Sequence, residues 1–263
     1  MPEETRAFSQ SLERGLLILS SFSETKPVLG IADLARSVSL NKSTTYRYVA
    51  TLARLGYVQQ DPDTKKYSLG PRVVDLGFAA INSMEITRVA GQYLQALSDE
   101  TGYTVSMAIL DGPDVVYIDR RRSGRASNFA MGLNLHVGSR LPAYCTSMGK
   151  VLLAYRDPAV LRALLDRTDF ARRGPKTITA REQLMASLDR VRSAGFAVND
   201  EELAAGLRSI AAPVRDRSGQ VIAAVNIAVH LTVWNASVES VVAKLECPLR
   251  HAVADISARL GYR

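Results

Sequence analysis

Residues 39–58, SLNKSTTYRYVATLARLGYV, constrain the fold more than any other stretch. Thr45, Tyr48, Val49, Leu52 and Leu55 recur at helical spacing and make one apolar stripe. Ser39 or Asn41 stands where the N-cap of such a helix belongs. Just upstream, Ile31, Leu34, Ala35 and Val38 make a second stripe, and only a turn around Ser39 and Leu40 separates the two. Two short helices joined so tightly form a helix-turn-helix. A third stripe, Leu12, Leu16 and Leu19, precedes them, with Ser9 or Ser11 as its cap. After Gly56, YVQQ and KKYSL read as short strands around the turn DPDT. Three helices and a hairpin in this order are the layout of a winged helix-turn-helix.

The face of the third helix opposite its stripe carries Ser43, Tyr46, Arg47, Ala50 and Arg54, and no acidic residue occurs between Val38 and Gln60. A merely solvated face would mix Glu with Lys. The second helix of such a motif enters the major groove of DNA, its short polar side chains reaching phosphates and base edges. Asn41, Lys42, Ser43, Thr44, Tyr46 and Arg47 are the candidates there, with Lys65 and Lys66 on the wing. The competing reading is a small winged domain used for protein contact. The chain's net charge of +7 suits a polyanionic partner, yet the first 70 residues hold nine basic and seven acidic residues, so local placement carries the DNA reading.

Pro71 opens a further helical pattern over residues 71–83, read as the connection between a DNA-binding domain of residues 1–70 and a second domain of residues 84–263. In the latter a helix ends at Gly102. YTVSMAIL and VVYIDRRR follow as a hairpin around DGPD, with ASNFAMG as a third strand. Helices are expected in CTSMGKVLLAYR, PAVLRALLDR and REQLMASLDRVRSAG, and strands in FAVND, SIAAPVRD and QVIAAVNIAVH. The last stretch reads as a helix interrupted or kinked near Pro248. The fold class is α+β, with a mainly antiparallel sheet and flanking helices.

Signals for an enzyme are weak. His136 and Cys145 stand nine residues apart, but an unpaired cysteine is usually a small buried hydrophobe. The run Asp200-Glu201-Glu202 has no histidine at ligand spacing and reads as a structural acidic turn. Phosphate-binding and dinucleotide glycine motifs are missing, so no cofactor, metal or catalytic residue is expected. Cys145 and Cys247, far apart in the chain, fit a reducing cytoplasm. There is no signal peptide and no stretch long enough to span a membrane. Asn199, Ser209 and Asn226 are polar residues on or beside apolar strands, either satisfied in a core or lining a pocket. A helix starting at Thr146 or Ser147 offers unpaired N–H groups and hydroxyls to a carboxylate, and Gly149 permits close approach to its backbone.

In their order along the chain, SLERGLLIL, NKSTTYRYVATLARLGYV, YSLGPRVVDLG, SMGKVLLA and GFAVNDEELAAGLRSIAAPVRDRSGQVIAAVNIAV resemble the IclR family of bacterial transcriptional regulators, over roughly residues 8–260. The resemblance implies a GAF-like effector domain that binds a small organic acid, an operator of double-stranded DNA, and a homodimer or a tetramer built from two dimers. Carried over by position, the effector pocket falls on Leu141, Ser147, Met148, Asn199, Leu207, Ser209, Asn226 and Ala228, with Ala130 and Leu133 as a wall. RLPAYCTSMGKVLLA is most similar to regulators of aromatic-acid breakdown through protocatechuate and β-ketoadipate, which makes the expected effector an aromatic or dicarboxylic acid. The chain departs from members that bind very small acids at Met148, Asn199 and Ala228, which implies a different, more apolar ligand. The alternative is a Cys145-dependent hydrolase with a nucleic-acid-targeting module.

Overall fold

In the computed structural model, which describes residues 8–23, 25–122, 135–235 and 237–263, the chain opens with α1 (Gln10–Ser20), α2 (Ile31–Ser37) and α3 (Lys42–Arg54). Ser9 caps α1, and Asn41 caps α3 through its Oδ1, which accepts the Thr44 N–H at 2.8 Å. Ile18, Leu34, Thr45 and Val49 are fully buried and form the centre of this unit. Two stripes depart from their expected burial. Leu12 and Leu16 stand 64% and 55% exposed, because α1 packs through Ile18 and Leu19 instead. Leu55 is the C-cap of α3 and is also exposed. The wing follows as β1 (Val58–Gln60) and β2 (Tyr67–Leu69), an antiparallel pair that seats Val58 and Tyr67 in the same core. Gly56 adopts φ +80°, and a Cβ on Gly70 would lie 2.3 Å from the Gly56 carbonyl oxygen, so both ends of the wing require glycine. Helix α4 (Pro71–Ser83) ends the first compact unit, and the second begins at Met84.

The second unit is a six-stranded antiparallel sheet buried on both faces. Its strands are β3 (Thr104–Asp111), β4 (Asp114–Arg121), β5 (Arg140–Pro142), β6 (Ala197–Asp200), β7 (Leu207–Arg215) and β8 (Val221–His230), in the order β5-β4-β3-β8-β7-β6. One face is covered by α5 (Glu85–Thr101) and α9 (Val238–Arg259), which meet Val105, Met107, Val225 and Ile227. The other is covered by α6 (Ser147–Ala154), α7 (Pro158–Asp166) and α8 (Arg181–Ala194), which meet Ala108, Tyr117, Ala211 and Ala224. Of the interruption or kink expected near Pro248, the interruption does not occur. Helix α9 runs through the proline, because the one hydrogen bond lost there frees the carbonyl of the exposed residue Lys244 to solvent. The segment expected as a third strand, residues 126–132, lies outside the described residues.

Every residue of α6 is buried, Lys150 included. Its ammonium is held by the Glu202 carboxylate and the Val198 carbonyl, both on or just after β6. The acidic run is therefore structural. Asp200 pairs with Lys176 and Arg208, Glu201 accepts the Gly206 N–H at 2.9 Å, and Glu202 reaches inward to Lys150. Removing one member of a buried pair leaves an uncompensated charge, at a cost of roughly 3–5 kcal/mol. Lys150→Met is accordingly expected to lose about that much stability in urea unfolding, while Lys150→Met/Glu202→Leu regains most of it. A double variant no more stable than the single one would show that the pair does not act as a unit.

Candidate functional site

On the first unit, Asn41, Lys42, Ser43, Tyr46, Arg47 and Arg54 are exposed on α3, and Thr44 is half-buried. Asn41 is engaged in capping, so its side chain shapes the start of the helix. A groove of about 440 Å³ between α1 and α3 is lined by Ser11, Arg14, Thr44, Arg47, Tyr48 and Thr51. It contains two guanidinium groups and no carboxylate. Hydrogen bonds from Ser11 and Arg14 hold the Tyr48 phenol below its ordinary pKa. Arg14 was not marked by the sequence reading, since an arginine on the outer side of an isolated amphipathic helix carries no signal of its neighbours. In the wing, Asp61 accepts from the backbone of Asp63 and Thr64 and from the Thr64 hydroxyl, which holds its carboxyl below the usual range. Lys65 takes φ +57° in the same turn, and both it and Lys66 are exposed.

The second unit holds a cavity between the sheet and the start of α6. It is lined by Ser106, Tyr117, Arg120, Leu135, Thr146, Ser147, Asn199, Leu203, Leu207, Ser209, Asn226 and Ala228. Thr146, Ser147, Asn199, Leu207, Ser209, Asn226 and Ala228 were marked from sequence, and the fold brings these seven together. Leu141 and Met148 belong to the adjoining core, Met148 fully buried within it. Ala130 and Leu133 lie outside the described residues.

Strand pairing explains the gathering. Asn199 lies opposite Ser209, Ser209 opposite Ala228, and Asn226 opposite Ser106, all on one face. Thr146, not Ser147, caps α6, its Oγ1 accepting the Gly149 N–H at 3.1 Å. This leaves the Ser147 hydroxyl to meet that of Ser209 at 2.7 Å. Asn199 donates to the Cys145 carbonyl and accepts from the Glu202 N–H, so the Lys150–Glu202 pair steadies it. Gly149 is required by the chain itself, because a Cβ there would sit 2.1 Å from the Ala143 carbonyl oxygen. The cavity volume is about 20 Å³, room for roughly one water molecule. An aromatic ring therefore enters only if lining side chains turn aside.

Five lining residues, Ser106, Tyr117, Arg120, Leu135 and Leu203, were missed by sequence reasoning, and Tyr117 and Arg120 are the two with ionisable groups. Burial pushes the Tyr117 phenol up to about 12, so it remains a neutral donor. Arg120 donates to the Ser106 hydroxyl at 3.3 Å, and its Nε has no partner; burial lowers its pKa. A run of three arginines at a strand end looks like a solvated terminus, and nothing in its composition marks the first of them. Cys145, by contrast, is a buried thiol pushed up to about 12 by desolvation and by Glu202, and its Sγ points to the Pro142 carbonyl. A buried thiol held in its protonated form lacks the activation that a nucleophilic cysteine needs, so these surroundings lend a Cys145-dependent hydrolase no support.

Comparison with known proteins follows the same division. Residues 11–62 match the IclR helix-turn-helix domain, and residues 78–258 match the C-terminal domain of IclR bacterial transcriptional regulators. The chain is 41% identical over 224 residues to the Pca regulon regulatory protein of Pseudomonas putida, covering 85% of this chain and 75% of that one. It is 32% identical to the p-hydroxybenzoate hydroxylase transcriptional activator of Acinetobacter baylyi, covering 84% and 82% respectively. Among solved structures, an IclR homologue from Microbacterium hydrocarbonoxydans, crystallised with 4-hydroxybenzoate, superimposes with a TM-score of 0.81 at 26% identity, covering 95% of this chain and 99% of that one. The winged first unit with its acid-free α3 face, the polar cavity of the second and these relatives agree: the chain belongs to the IclR family of ligand-responsive, DNA-binding transcriptional regulators.

Proposed function

We propose that this regulator binds a partly palindromic operator through α3 and the wing, and that a small organic acid in the cavity controls that binding. The observation that carries the DNA half is the α3 face, where Lys42, Ser43, Tyr46 and Arg47 are exposed with no acid among them. The acid half rests on the cavity, which combines apolar walls with hydroxyl, amide and guanidinium groups. The relatives named above favour an aromatic acid or a dicarboxylic product of its breakdown. Because the unfilled cavity is so small, such an acid binds only a rearranged domain, and this differential affinity is what shifts a population of conformers. Helix α4, the last element of the first unit, is the covalent route by which the change passes along the chain. No helix among the described residues is long and apolar enough to cross a membrane. A protein acting on an operator works where the chromosome is, in the cytoplasm.

The proposed assembly is a homodimer, or two dimers joined. Leu12, Leu16 and Leu17 on α1 and Val74, Leu76 and Phe78 on α4 all stand exposed. A second copy would cover such side chains and would place two recognition helices on two half-sites.

Fluorescence anisotropy against operator DNA tests the DNA reading. Arg47→Ala is expected to weaken binding to all sequences and to lower the slope of log K against log salt by about one counterion; an unchanged slope would sink the phosphate role. Replacing both Lys65 and Lys66 by Ala should reduce affinity with little change in melting temperature, and an affinity that stays constant across a salt series would remove the wing from the interface. In the cavity, Thr146→Ala should lose about 0.5–2 kcal/mol of stability as a lost cap. Ser147→Ala should instead weaken binding of a stabilising acid by about 0.5–1.5 kcal/mol in calorimetric titration. Wild-type acid affinity in the folded Ser147→Ala protein would exclude that hydroxyl from the site.

A further inference from the structure

Strand β4 ends in the charged run Asp119-Arg120-Arg121. Strict alternation from Val115 and Tyr117, both on the cavity side, would aim Asp119 and Arg121 at the cavity and Arg120 away from it. The pairing with β3 shows otherwise. Ala108 lies opposite Tyr117, but Met107 lies opposite Asp119, so the register slips by one residue. This is a β-bulge, a device that re-aims the side chains beyond it. Past the bulge, Asp119 and Arg121 lie opposite Met107 and Val105, on the face covered by α5 and α9. There they make a two-pronged ion pair, at 2.8 and 3.0 Å, beside Gly91 of α5. Arg120 lies opposite Ser106 on the cavity face.

The bulge therefore sorts three charges. The neighbouring carboxylate on β4, Asp119, is turned to the other face and paired with Arg121, and Arg120 faces the cavity with no carboxylate partner among the described residues. The residues lining the cavity include no Asp or Glu. Across Ser106 from Arg120 stands Asn226, 6% exposed, whose Oδ1 also lacks a partner. Two unsatisfied polar groups of one cavity thus flank a single serine. A half-buried guanidinium is costly without an anion, and its planar fork fits a carboxylate through two parallel hydrogen bonds. Strands stand about 4.8 Å apart, so side chains from β4 and β8 converge over β3 on a group of that size. The Asn226 amide can turn either its oxygen or its N–H₂ toward the bound acid.

We propose that the β4 bulge makes Arg120 the carboxylate seat of the cavity, flanked by Ser106 and Asn226, so that the protein selects small organic acids over their uncharged amides. This rests on the reading that the cavity takes an acid, and it moves the carboxylate from the start of α6, where Ser147 and Ser209 already satisfy each other, to the opposite wall.

The test is a thermal-shift and calorimetric series with benzoate, 4-hydroxybenzoate, protocatechuate and β-ketoadipate, each beside its primary amide. It is run on wild-type protein, Arg120→Gln and Arg120→Lys. At least one acid should stabilise the wild type while its amide does not. Arg120→Gln should weaken that acid by about 10-fold to 150-fold, the range for a hydrogen bond to a charged group. It should leave the amide's weak affinity unchanged, and the variant without ligand should melt no lower than the wild type, since it loses a half-buried cation that has no counter-ion. Arg120→Lys, a point charge without the fork, should restore only part of the affinity, and it carries the comparison if the Gln variant does not fold. Equal acid affinity in wild type and variants overturns the proposal and leaves the cavity reading standing. An equal loss of acid and amide also overturns it, by showing a structural role. A wild type stabilised by none of the acids overturns the cavity reading and the proposal with it.

Discussion

Burial of the six-stranded sheet on both faces is the constraint on which the second unit depends. A sheet with one wet face tolerates polar side chains there at no cost, whereas here every polar group on either face needs a partner or a purpose. The face toward α5 and α9 is almost wholly aliphatic along β3 and β8. The face toward α6 carries Ser106, Asn199, Ser209 and Asn226, all buried and all in one neighbourhood. Their concentration is what separates a binding cavity from a core. An aliphatic core would gain about 25 cal/mol for each Å² of apolar surface buried, and these residues forgo part of that gain.

The polar wall must be held still to discriminate among ligands. The Lys150–Glu202 pair does this by tying the centre of α6 to the loop after β6, and Asn199 is hydrogen-bonded to that loop at Glu202 and to Cys145 in the turn just before α6. Replacing such a pair by packed aliphatics is often neutral for stability. Its retention beside the cavity fits a positional role, in which the start of α6 and the end of β6 keep a fixed separation. The first unit solves a different problem. Its core is small, centred on Ile18, Leu34, Thr45 and Val49, and the wing adds Val58 and Tyr67. That leaves the polar side of α3 free, and leaves apolar side chains on α1 and α4 uncovered.

Much of this was legible in the chain itself, because helix and strand periods are local properties. The three N-terminal helices, the hairpin around DPDT, the antiparallel sheet and the positions of Ser147, Asn199, Ser209 and Asn226 all follow from spacing, turn chemistry and family resemblance. What spacing cannot supply is the identity of the surface a stripe will meet. Leu12 and Leu16 have the periodicity of a core face and are exposed, while Ile18, one residue off that stripe's spacing, is buried. Met148 was assigned to the pocket by position, but a helix buried on all sides gives no sign of which neighbour each residue faces.

Arg120 marks the boundary most sharply. The sequence by itself determined that β4 ends in one acid followed by arginines, and that the strands around it alternate between two buried faces. It did not determine which of those charges the cavity receives, because a side-chain period of two makes the answer depend on a single residue of register. That register is set by the pairing of β4 with β3, a contact between strands, and the bulge at Ile118 of β4, opposite the step from Met107 to Ala108 on β3, reverses the outcome alternation would give. Composition decided that the wall would be polar; only the paired sheet decided that it would be cationic.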